Sequence, residues 1–164
     1  MTEAQRESVP LNDGGELDTA LAFLAFARNC VIKKLDGLDE EQVRRVLVPS
    51  GTSLLGLVRH LTDGERYWFG YRLTGQGAEP DWDAGMAAGR DVTRGDVIAG
   101  YRAAIADSDA AIRELGDPGA RSALAADGAP RTLRWTLAHM TSETARHAGH
   151  ADILREQLDG TTGR

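Results

Sequence analysis

The chain has 164 residues, 41 % apolar and 27 % charged, with 19 Lys and Arg against 25 Asp and Glu, a formal net charge of −6. That balance belongs to a globular domain and is too acidic for a protein that neutralises phosphates, which excludes whole-chain disorder and leaves no nucleic-acid partner. No apolar run approaches the roughly 20 residues that cross a bilayer, residues 1–16 lack the basic start and apolar core of a signal peptide, and the single cysteine, Cys30, excludes an internal disulfide and a multi-cysteine metal cage. The expectation is one cytoplasmic domain over residues 1–164 with no membrane partner. Residues 1–15 read as a flexible N-terminal segment and 161–164 as a tail.

No stretch alternates apolar and polar residues for long and β-branched residues do not cluster, so no strand is predicted. Leu17, Leu21, Leu24, Ala25, Arg28, Val31, Ile32 and Leu35 fall three and four apart and predict a helix from about Glu16 to Leu35, ended at Asp36-Gly37. A short helix is expected from Asp39, a good N-cap, to Leu47, stopped by Pro49. A second long helix follows Ser50-Gly51-Thr52 and runs to about Thr74, with Leu54, Leu57, Val58, Leu61 and Trp68 inward. Residues 75–93, rich in Gly and Pro and carrying Trp82, read as a long crossover loop, of the length that tends to be functional or flexible. The third long helix spans about Arg94 to Leu115, with Thr93 and Asp96 forming a capping box. The fourth runs from about Thr132 to Leu158. Four such helices with one long connection predict an all-α four-helix bundle.

The chain has four histidines, and three lie on the last helix. At about 100° per residue, with Leu133 at zero, the apolar face of that helix centres near 340° and His147 falls at about 320°. Glu143 falls at about 280°, one turn earlier on the same side. His150 and His139, at about 260° and 240°, mark the edge of the stripe. Arg146 and Arg155 point elsewhere on the wheel. A carboxylate aimed inward needs a cation, a hydrogen-bond network or a metal. On the second long helix His60 shares a stripe with Leu57, Gly64, Tyr67 and Tyr71, and Gly64 reads as clearing space beside the histidine. If the two helices are neighbours, His60, Glu143 and His147 converge. Two imidazoles and one carboxylate with an open fourth position suit catalytic zinc, and the same set suits nickel or iron. Each feature also has a plainer reading. Glu-x-x-x-His pairs are common in helices, a lone inward histidine is usually hydrogen-bonded core, Tyr67-Trp68-Phe69-Tyr71 fits packing, and Cys30 fits a small buried apolar residue.

Two segments, SGTSLLGLVRHLTDGERYWF at 50–69 and TLRWTLAHMTSETARHAGHADILREQLDG at 132–160, carry a resemblance to the DinB-like superfamily, which includes bacillithiol- and mycothiol-dependent enzymes. The resemblance covers about residues 16–160. It implies a bundle of up-down-down-up topology and a metal held by one histidine of the second helix and two ligands four apart on the last. These map onto His60, Glu143 and His147, with glutamate at the upstream position as in the group of mycothiol-dependent maleylpyruvate isomerases. It further implies a divalent metal, zinc ahead of nickel or iron, that holds a low-molecular-weight thiol of the mycothiol type for transfer to a small electrophile. The extra C-terminal domain of the isomerases is not expected here, nor is isomerisation. His139, His150, Tyr67, Tyr71, Arg146 and Trp135 are candidates for substrate contact or for supporting the ligands. The alternative is a non-catalytic stress-response bundle that binds metal or a small molecule. A homodimer through bundle faces fits either.

Overall fold

The structure is a computed structural model that describes residues 7–11, 13–82, 86, 92–126 and 128–163. Five α-helices are present: α1 (Glu16–Lys33), α2 (Glu40–Arg44), α3 (Leu54–Glu65), α4 (Arg94–Leu115) and α5 (Leu133–Asp159). The helix of α3 continues as a π-helical segment over Arg66–Arg72. Among the described residues the only β-type pairings are two isolated bridges between α4 and α5, Arg121 with Thr132 and Ala126 with Ala129. The chain is all-α, as its periodicity predicts, and no described helix is long and apolar enough to cross a membrane.

Local chemistry accounts for the helix ends. Asp39 accepts from Gln42 N–H and the Gln42 side chain answers the Asp39 N–H, a reciprocal cap on α2. Ser53 accepts from Gly56 N–H at the start of α3, Thr93 and Asp96 cap each other at the start of α4, and Thr132 accepts from Trp135 N–H at the start of α5. Gly116 and Gly160 end α4 and α5 at φ 65° and 74°, where a side chain would be strained. Helix α2 is shorter than expected. It stops at Arg44 because Arg45 turns to extended backbone, which β-branched Val46 and Val48 and the following Pro49 favour. In the N-terminal segment, Glu7 accepts from Asn29 at 3.0 Å and pairs with Lys33 at 2.5 Å, docking that part on α1.

Helix α1 packs along α5, while α3 packs on α4 and α5. One apolar cluster holds Cys30, Val31, Leu35, Leu55, Leu57, Val58 and Leu61 with Tyr101 and Leu154. The other holds Leu24, Phe69, Leu73, Ile112, Leu133, Leu137 and Met140. Cys30 is a buried apolar filler, as its sequence context suggests. A Cβ at Gly64 would sit 3.4 Å from the Met140 terminal methyl, so the glycine lets α3 approach α5 closely.

Fully buried charge crosses this core. The Arg28 guanidinium, 1 % exposed, donates to both oxygens of Glu65, 0 % exposed, at 2.7 and 2.6 Å. It also reaches Asp109 of α4 at 2.8 Å. At the other end Arg155 donates to the Lys34 and Asp36 carbonyls at 2.9 and 2.8 Å, closing the C-terminal end of α1 from α5. It also holds Asp159, whose carboxyl is pushed down to about 2, chiefly by the Arg155 hydrogen bond.

Breaking the Arg28–Glu65 pair from one side leaves a buried charge without its partner. Glu65→Ala is expected to lower unfolding free energy by about 3–5 kcal/mol, and Arg28→Met with Glu65→Leu by clearly less; chemical denaturation of both variants checks the ordering. Gly64→Ala is expected to be neutral or stabilising by up to about 1 kcal/mol in thermal unfolding, because helix propensity improves and the flexible Met140 side chain can give. A large loss would mean that the close approach tolerates no methyl group.

Candidate metal centre

The packing of α3 on α5 places His60 against His147, with ring centroids 5.0 Å apart. One turn before His147 on α5, Glu143 accepts from or shares a proton with it: Oε1 lies 3.0 Å from His147 Nε2. One donor atom from each of His60, Glu143 and His147 lies within 4.8 Å of the others. Among the described residues this is the group of metal-ligating side chains that converges. The His147 ring is 2 % exposed and the Glu143 side chain 25 %, so the cluster is partly buried.

Electrostatics hold each group in its ligating form. Burial lowers the His147 imidazole below its ordinary value, reinforced by the neighbouring His60 and only partly offset by Glu143. Burial likewise lowers His60. Both are therefore neutral, with a lone pair free for a cation. Burial works to raise the Glu143 carboxyl, but the Arg146 hydrogen bonds and the charge beside it prevail and hold it below the carboxylate range. One Arg146 nitrogen lies 2.6 and 2.7 Å from the two Glu143 oxygens. The helical wheel sends Arg146 elsewhere. Its Cα does lie off the inward face, but the spacing of three residues and a long side chain bring the guanidinium back.

The other predicted residues separate into two groups. His150 is exposed, yet its Nδ1 lies 3.4 Å from His147 Nδ1, on the nitrogen that does not face Glu143. His139 lies apart from the cluster, with its ring 4.6 Å from Trp68 and stacked at 5.1 Å on Trp135. Trp135 is 39 % exposed and carries the Arg131 guanidinium 5.2 Å from its centroid. On the His60 side Trp82 stands 5.9 Å from His60 and 5.3 Å from Tyr67, edge to face. Tyr71 stacks on Tyr67 at 6.1 Å. The crossover loop thus reaches the cluster at Trp82, while residues 83–85 and 87–91 lie outside those described.

Arg72 was not singled out by sequence. It donates to the Tyr67 hydroxyl from two nitrogens at 2.8 and 2.5 Å and lies 4.9 and 5.5 Å from the Tyr67 and Tyr71 rings. Residues five apart meet this way in a π-helix, whose bonds run from i to i+5, and not in an α-helix. The aromatic run YWFGY is the available signal.

The model of the mycothiol-S-transferase family matches residues 19–160. The chain belongs to that family, which lies within the DinB-like superfamily. No curated protein matches it.

Both imidazoles have lowered values in the fold against about 6.5 in an unfolded chain. Their neutral forms therefore contribute stability that is complete above pH 6.5 and lost as pH falls through the lowered folded values. The metal-free protein should lose urea resistance between pH 7.5 and 5, and a variant carrying His60→Gln and His147→Gln should lose less over the same range.

Proposed function

We propose that the chain is a divalent-metal-dependent mycothiol S-transferase for small electrophiles, with His60, Glu143 and His147 as the metal ligands. The observation that carries this reading is the convergence of those three donors within 4.8 Å in a chain matched by the family over residues 19–160. Two imidazole nitrogens and a carboxylate fit zinc first, with nickel and iron drawing on the same donors. The Nε2–Oε1 separation of 3.0 Å is close to the roughly 3.3 Å between neighbouring ligands around a tetrahedral ion with bonds near 2 Å.

When bound, the metal would hold the thiol sulfur and keep it as thiolate at neutral pH. The chain's own residues supply the rest. Arg146 keeps Glu143 ionised, and burial keeps His60 and His147 neutral. His150, on the far nitrogen of His147, sets its tautomer and ring orientation, the supporting contact that ligating histidines need. Neither His139, held in its aromatic stack, nor His150, which meets His147 on the nitrogen away from Glu143, joins the group of converging donors, which favours an open position over the closed site of a non-catalytic bundle. The aromatic and hydroxyl surface of Tyr67, Tyr71 and Trp82, with Arg72, suits the polar body of the thiol. In the transfer to an alkyl halide, sulfur bonds to carbon, halide leaves with the bonding electrons and the thiol's proton is released; in the addition to an epoxide or enone, the opened oxygen or the α-carbon takes the displaced electron pair and the proton. The same reading takes the four long helices as an up-down-down-up bundle, supported by the packing of α1 on α5 and of α3 on α4.

Purified protein should contain about one divalent metal per chain by elemental analysis, and His147→Ala should contain almost none. The loaded protein should consume mycothiol with at least one of a panel of alkyl halides, epoxides and enones, and His147→Ala should lose this rate by a factor of 100 or more, on the order of what losing a metal ligand costs. Absence of metal-dependent consumption of any low-molecular-weight thiol would contradict the reading.

A further inference from the structure

Beside His147 lies a second feature that the transfer chemistry above does not use. A cleft of about 450 Å³ lies between the segment that leads into α3 and the C-terminal half of α5, and His147 forms part of its wall. His147 therefore belongs both to the donor cluster and to this cleft. The remaining wall is mainly aliphatic: Val48, Met86, Ile153 and Leu154. Its polar groups have at least one partner each. Ser50 and Thr52 share a hydrogen bond of 3.0 Å, Arg146 is engaged with Glu143, and His150 faces His147. Ile153, one turn beyond His150, is 56 % exposed at the rim. A volume of this size is in the range that takes a small organic ligand, and an aliphatic wall with satisfied polar groups selects by apolar area.

The surroundings of the centre thus differ in chemistry on its two sides. The His60 side presents Trp82, Tyr67 and the Arg72 guanidinium, and the His147 side presents aliphatic carbon. We infer that this cleft is the electrophile subsite and that it selects uncharged electrophiles with an unbranched aliphatic chain. The inference rests on the transferase reading and adds to it the substrate class. For a 1-bromoalkane, sulfur bonds to the terminal carbon, the carbon–bromine bond breaks with its electron pair on bromide, and the thiol's proton is released with it.

Two readouts test this. The first is binding of unreactive 2-alkanones of four to eight carbons to the metal-loaded protein, followed by the NMR shift of the Met86 methyl group. Affinity should rise about three- to fourfold per methylene, and Ile153→Asp should flatten the series. The second is kcat/KM with mycothiol and 1-bromoalkanes of three to six carbons, which should rise by a similar factor per carbon. A carboxylate at the chain end should cancel the gain. Ketone affinity that does not change with length, or a Met86 signal that does not move, overturns the subsite whatever the turnover shows. Length-dependent ketone binding without thiol consumption would instead overturn the transferase reading and leave the cleft as a site for an aliphatic ligand.

Discussion

The buried pairing of Arg28 with Glu65 is the constraint on which the arrangement depends. A guanidinium and a carboxylate removed from water are tolerated only with near-ideal geometry, and both Glu65 oxygens are met at 2.6–2.7 Å. Because Arg28 also reaches Asp109, the contact ties α1, α3 and α4 at one level. Glu65 is the last residue of α3 before the helix widens into its π-helical segment. The point at which the backbone leaves α geometry is thus anchored from two other helices. Beyond it, Tyr67, Tyr71 and Arg72 gather into one surface beside Trp82.

The donor cluster rests on a different balance. Burial disfavours charge on all three groups, which favours neutral imidazoles, while the hydrogen bonds and charge of Arg146, with the neighbouring His147, outweigh burial at Glu143 and hold its carboxyl down. A cation entering the centre would meet two neutral nitrogens and one anionic oxygen whose charge is already shared. That arrangement favours moderate net charge on the bound ion, which helps an ion to bind and ionise a thiol. Family membership and this donor set are separate observations: the first points to a mycothiol-related transferase, the second to a group that could hold a cation.

Much of this was legible in the sequence because it depends on local rules. Apolar spacing located the four long helices within a few residues, and Asp39, Thr93 and Thr132 marked starts that prove to be capped by those side chains. The inward turn of Glu143 and His147 followed from the wheel, and convergence with His60 followed once α3 and α5 were neighbours. Three things were out of reach. A wheel at 100° per residue cannot anticipate the π-helical segment, so Arg72 and its bond to Tyr67 were invisible. The wheel also reports where a Cα points and not how far a side chain reaches, which hid the Arg146–Glu143 contact. The aliphatic cleft beside His147 joins Val48, Met86 and Ile153, residues too far apart in the chain for any local pattern to associate.

In the proposed mechanism His60, Glu143 and His147 hold a metal that keeps a position for a thiol. X-ray absorption at the edge of the bound metal, with and without mycothiol, tests it most directly. The account predicts a first shell of nitrogen and oxygen near 2.0–2.1 Å in the protein alone, joined on adding mycothiol by one sulfur near 2.3 Å if the metal is zinc. A shell that stays free of sulfur with saturating thiol, or a metal retained in full by a His60→Ala, His147→Ala variant, would contradict it.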